Sequence, residues 1–131
     1  GAYNPRSVSI EVQNYGFRRE GEPIPRGDRG ERPLIDVVQN GRKRKFAAFW
    51  ENDLKACSAL AAALSDAIPT IPRTTPVGRD GKVYSDFISP RDMQKVKGHV
   101  GHFQLSKMKS DPGPQLLGRL LSDGVVTGAP L

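Results

Sequence analysis

Asn40-Gly41 stands between two short runs of strand-like composition, LIDVVQ at 34–39 and RKRKFA from residue 42. Asn and Gly both tolerate positive φ, so this dipeptide specifies a two-residue type I′ hairpin. A loop that short fixes the register. It sets Gln39 opposite Arg42, Val37 opposite Arg44, Asp36 opposite Lys45 and Ile35 opposite Phe46. The last two pairs are favourable cross-strand matches, one ionic and one apolar. Alternation then divides the second strand and its continuation into two faces. Arg42, Arg44, Phe46, Ala48 and Trp50 share one; Lys43, Lys45, Ala47 and Phe49 share the other. One face must pack inward. The functional expectation buries Phe49 and leaves Phe46 and Trp50 beside Arg44; the reverse assignment stays open.

The rest of the chain is read around this hairpin. SVSIEVQNYGF at 7–17 alternates apolar and polar and predicts a strand. Residues 18–33, charged and rich in Gly and Pro, predict a flexible loop. Its Arg26-Gly27-Asp28, a tripeptide that integrins can read, is three residues of a solvated loop. A helix is expected to start at an Asn52 cap, with Asp53 at the positive end of its dipole. Leu54, Cys57, Leu60, Ala61, Leu64 and Ile68 recur at helical spacing as its buried stripe, and Pro69 stops it. Prolines in 69–81 allow only an edge segment or a loop. Further expectations are a strand at 82–89, a short helix opened by Ser89-Pro90-Arg91-Asp92, and a last strand at 102–108. Residues 1–110 then make one domain, followed over 111–131 by a short helix from Pro114 and a frayed, flexible tail.

Charge narrows the partner class. The chain carries a formal +6, and the excess is local. Residues 1–41 hold six basic and six acidic side chains; residues 42–110 hold thirteen and six, a surplus of seven. That surplus begins at the hairpin tip and favours an anionic partner. One cysteine, Cys57, excludes an intrachain disulfide and fits a reducing, intracellular compartment, cytoplasm or organelle matrix. On the expected helix stripe it reads as a small core residue. No run of about 18 apolar residues occurs, so no membrane helix is expected. The chain opens Gly-Ala without methionine, which reads as a cloning scar or a processed end, so a targeting segment would not be visible.

Catalytic patterns are poor. His99 and His102 are three apart, yet glycines at 98 and 101 oppose the helix that would let them share a metal. No phosphate-cradling Gly-rich motif and no nucleophile elbow occur. The expectation is a non-enzyme with no cofactor and no metal.

The order of elements is strand, long loop, hairpin, helix, then further strands. That is the order of an OB-fold, a small barrel plugged by the helix after its third strand. Three stretches resemble the bacterial and mitochondrial single-stranded-DNA-binding protein family: SVSIEVQNYGFRRE, KFAAFWENDLKACSALAAAL and GRDGKVYSDFIS. The place where that family has a strand opened by Lys-Gly is LSDAIPTIPRTTP here, a departure that touches barrel closure. IDVVQNGRKRKF is also similar to the hairpin of PUR-type domains, and the sheet-then-helix order to Whirly-type and PC4-type modules. The resemblance implies a mainly β (α+β) fold, an OB-like β-barrel with one main helix and a short C-terminal helix. It also implies single-stranded DNA or RNA as ligand.

Single-strand binders combine a basic groove for phosphates with exposed rings for bases. The expected contacts are Arg18, Arg19, Arg42, Lys43, Arg44, Lys45, Phe46, Trp50, Lys82 and Tyr84. Lys95, Lys97, Lys107 and Lys109 add positive charge further on. The competing expectation is a protein-interaction subunit, a homo-oligomer or part of a larger complex, using the apolar PQLLGRLL segment or a free strand edge.

Overall fold

The computed structural model describes residues 7–12, 14, 16–19, 21–23, 26–27 and 29–131. In chain order the strands are β1 (Phe17–Arg18), β2 (Arg26–Gly27), β3 (Gly30–Glu31), β4 (Leu34–Gln39) and β5 (Arg42–Ala47). Helix α1 (Glu51–Ala67) follows, then β6 (Thr74–Val77), α2 (Pro90–Met93), α3 (His102–Leu105), α4 (Pro114–Ser122) and β7 (Thr127–Pro130).

The hairpin β4–β5 has the register its turn dictates, from Leu34 opposite Ala47 to Gln39 opposite Arg42. Asn40 and Gly41 both take positive φ, 50° and 71°. Asp36 faces Lys45 with Oδ1 2.7 Å from Nζ. β1 adds to the outer side of β5 through Phe17 opposite Phe46, giving the order β1-β5-β4. The strand expected over 7–17 is thus limited to its last residue, Phe17, plus Arg18, among the described residues. Gln13, Tyr15 and the Asp28 of Arg-Gly-Asp lie outside them.

Helix α1 forms because its 17 residues contain no β-branched side chain, glycine or proline. Glu51 and Asp53 sit in its first turn, where the dipole favours them. Trp50, not Asn52, is its N-cap residue, and the chain leaves helical geometry at Ile68, ahead of Pro69. The stripe it buries is Leu54, Ser58, Ala61 and Ser65, with Leu60 left 47 % exposed. Helix α4 begins with Pro114 at its first position, where the missing N–H costs nothing. It packs on α1. Leu54 and Leu116 join Val37, Phe46 and Phe49 in one core cluster. Ala61 joins Leu117, Leu120, Phe103 and Val126 in a second.

The OB-like barrel does not form, and the fold is a small α+β structure whose sheets stay open. Three local outcomes explain this. First, β6 finds its partner in β7, in parallel, with Thr74 opposite Thr127. Residues 122–131, expected to fray, therefore supply a strand. Second, residues 82–89 make only one bridge, Val77 to Val83, because their backbone groups are satisfied otherwise. Tyr84 N–H donates to Pro76 O, Ile88 N–H donates to Gln104 O, and the fully buried Gln104 donates Nε2 to Tyr84 O at 2.7 Å. Third, the strand expected at 102–108 is the helical turn α3, held where Gln104 Oε1 accepts from Gly101 N–H. The expected helices near 90 and 114 do form, the first capped by Ser89 Oγ accepting from Asp92 N–H.

Candidate functional site

The hairpin turn is pinned from the side. Asn40 N–H donates to Asp86 Oδ1, and Phe87 N–H donates to Asn40 Oδ1. This latch brings the tip of β4–β5 against residues 86–87, and the segment 107–110 lies beside them. Between them lies a cleft of about 560 Å³ lined by Phe17, Gln39, Arg42, Arg44, Asp86 and Lys107 to Ser110.

The cleft is basic. Arg42, Arg44, Lys107 and Lys109 face one carboxylate, Asp86, which already accepts from the turn. None of the four cations has an acidic partner within ion-pair distance among the described residues. Two are instead oriented over rings. The Arg44 guanidinium lies 4.9 Å from the Phe17 ring centre and the Lys107 ammonium 5.3 Å from that of Phe87. Such contacts are worth about 0.5–1 kcal/mol at exposed sites and leave the charge free to act outward.

The opposite face of the hairpin is different. Lys43 and Lys45 both close on Asp36, at 3.3 and 2.7 Å. The pair holds the Asp36 carboxyl below its ordinary range, Lys45 contributing most. Alternation thus separates two unpaired arginines from two paired lysines.

The other expected contacts are dispersed. Phe46 is fully buried, under the start of α4 and edge-on to Phe17 at 5.2 Å. Phe49 is buried as well, its N–H donating to Gln115 Oε1. The expectation that one of these two rings faces a ligand is corrected here. β5 ends at Ala47, strict alternation ends with it, and α4 covers Phe46 while α1 and α4 take up Phe49. Trp50 is half-buried with Arg29 and Arg32 over its ring at 6.0 and 5.6 Å. Arg18 is largely buried and pairs with Glu22 at 3.7 Å. Arg19 is exposed, its backbone N–H donating to the Glu22 carboxylate. Lys82 follows the Asp80-Gly81 turn and Tyr84 is held at Pro76, neither lining the cleft. Of the expected contacts, the cleft therefore gathers Arg42 and Arg44. It adds Gln39, Asp86 and Lys107 to Ser110. The basic residues 107 and 109 were visible as charge, but nothing local in the sequence tells that they meet the hairpin.

Two further groups complete the survey. His99, half-buried, has its pKa pushed down by desolvation and lies 3.4 Å from Ser65 Oγ, which is itself 1 % exposed. His102 turns away to Asp111, at 2.8 Å. Among the described residues no three His, Cys, Asp or Glu side chains converge as metal ligands. The Cys57 thiol is pushed up by burial and by Asp53, away from the reactive thiolate. Leu116, Leu117 and Leu120 of the apolar C-terminal segment are interior, and Leu121 is partly buried against the second core cluster. No described helix is long and apolar enough to cross a membrane. Comparison with protein-family models, with curated proteins and with solved structures finds no match.

Proposed function

We propose that this chain binds single-stranded nucleic acid, DNA or RNA, at the cleft between the hairpin tip and residues 107–110. The observation that carries the reading is the convergence of four unpaired cations, Arg42, Arg44, Lys107 and Lys109, from two distant segments onto one concave surface. Elsewhere most basic side chains on the framework are neutralised locally, as Lys43 and Lys45 are by Asp36 and Arg119 is by Glu51 and Asp123. Unneutralised charge gathered in a concavity raises the local concentration of a polyanion and takes up phosphates by releasing their counterions.

The argument for this ligand from a barrel face falls with the barrel; the argument from charge remains. Since no Phe, Tyr or Trp ring among the described residues is exposed, the binding is led by electrostatics and has little sequence preference. An intracellular, reducing setting belongs to this reading, since the chain's one cysteine, Cys57, is free.

The test is fluorescence anisotropy of labelled single-stranded DNA and RNA oligonucleotides at two salt concentrations. Affinity is expected to fall steeply with salt. Absence of binding to both polymers at low salt sinks the reading.

A further inference from the structure

The cleft carries more than charge. Met108, between Lys107 and Lys109, is 91 % exposed, the most exposed large apolar side chain described, and it lines the same cleft. An apolar side chain held out between two cations contributes nothing to the core. It offers a face to a ligand that has both an anionic and an apolar part. Gln39 lines the cleft from the strand side. It is 5 % exposed, and its Nε2 has no hydrogen-bond partner among the described residues. Buried amides are nearly always paired, so this one is a polar group that the described fold does not use. Its terminal torsion is soft, so either amide end can be turned to the cleft. The cleft, about 560 Å³, is of the size of small-molecule sites.

Resting on the nucleic-acid reading, we infer that the cleft seats one nucleotide of the bound strand. Its phosphate lies among Arg42, Arg44, Lys107 and Lys109, its base lies against Met108, and Gln39 is the polar contact at the wall. The cations fix the strand and Met108 distinguishes a strand with bases from a bare phosphate chain.

The experiment compares a labelled single-stranded oligonucleotide with an abasic strand of the same length and phosphate count. It uses the parent, Met108→Ala and the double variant Lys107→Ala/Lys109→Ala, all changes at exposed positions. The parent is expected to hold the base-bearing strand about fivefold tighter, a fold-change that burying much of one methionine side chain against a base can supply. Met108→Ala should remove that preference and leave abasic binding unchanged. The lysine variant should weaken both strands alike. Equal binding of both strands by the parent overturns the inference, as does a preference that Met108→Ala leaves intact. If both 107–109 variants bind like the parent while Arg42→Ala/Arg44→Ala binds weakly, only the seat is wrong and the nucleic-acid reading stands. If the parent binds neither strand, both fall.

Discussion

Gly113 and Phe46 meet where the hairpin touches the start of α4: a Cβ on Gly113 would come within 2.8 Å of Phe46 Cζ. Gly113 also has φ of 79°, a conformation that side chains resist. Gly113→Ala therefore carries both overpacking and backbone strain, and should cost about 1–3 kcal/mol. Phe46→Ala empties a fully buried site and should cost about 3–5 kcal/mol. Urea unfolding midpoints measure both. A Gly113→Ala protein as stable as the parent would refute this account of the contact.

The two faces of the hairpin should separate in binding. Arg42→Ala/Arg44→Ala removes two unpaired cations from the cleft, while Lys43→Ala/Lys45→Ala removes two already engaged by Asp36. The arginine variant should lose more affinity, and its salt dependence should flatten by about 0.7 in log–log slope per lost phosphate contact. Anisotropy titrations across a salt series give both quantities. Equal losses from the two variants would mean that the ligand wraps the whole tip.

Acid should loosen the framework through three carboxylates. Asp36 is held below its ordinary range by Lys45 and Lys43, Glu51 by Arg119, and Asp123 by the Ser58 hydroxyl and then Arg119. In the unfolded chain these groups titrate near about 3.9–4.3. With folded values lower, the unfolded chain takes up protons first as pH falls. Their contribution is complete above the unfolded values and is lost as pH drops through the folded ones. All three are exposed, so added salt should shrink the effect. Unfolding midpoints at pH 7, 5, 4 and 3 should fall below pH 5, and less so in Asp123→Asn. A flat profile to pH 3 contradicts the assignment.

His99 sets a second, higher window. Burial depresses its folded pKa below the unfolded value of about 6.5. A depressed value means that the neutral ring stabilises the fold above pH 6.5 and that this is lost as pH falls through the folded value. Tm should therefore begin to decline between pH 7 and 5, before the carboxylates titrate. His99→Gln should remove that early decline. Persistence of the decline in the variant would place its origin elsewhere.

What the sequence disclosed follows the range of the interactions. The hairpin, its register and the Asp36–Lys45 pair are set by residues within a few positions of Asn40-Gly41, and all are present. Helix α1 is equally local, being a long run of helix formers, though its buried side is offset from the Leu60 stripe: Ser58 turns inward to Asp123, just past α4, and Ser65 to His99. The barrel failed because closure depends on distant partners. Thr74–Val77 could pair with any free edge, and nothing near it announces Thr127–Pro130. Residues 82–89 have strand composition, yet a buried glutamine some distance on supplies the hydrogen bonds that a strand would have supplied. The site follows the same rule. Arg42 and Arg44 were readable from the hairpin, whereas Lys107 to Ser110 line the cleft by tertiary placement, Lys107 lying over the Phe87 ring.

The parallel pairing of β6 with β7 has a consequence for biosynthesis. As the chain leaves the ribosome, Thr74–Val77 emerges long before the strand that will cover it, and Val126, almost fully buried, is also made late. Until translation passes Pro130, the nascent chain carries an open strand edge and an incomplete second core cluster, both invitations to self-association. A product that stopped before Val126 would keep the edge of Thr74–Val77 open and the second core cluster unfinished, although every residue lining the cleft would already have been made.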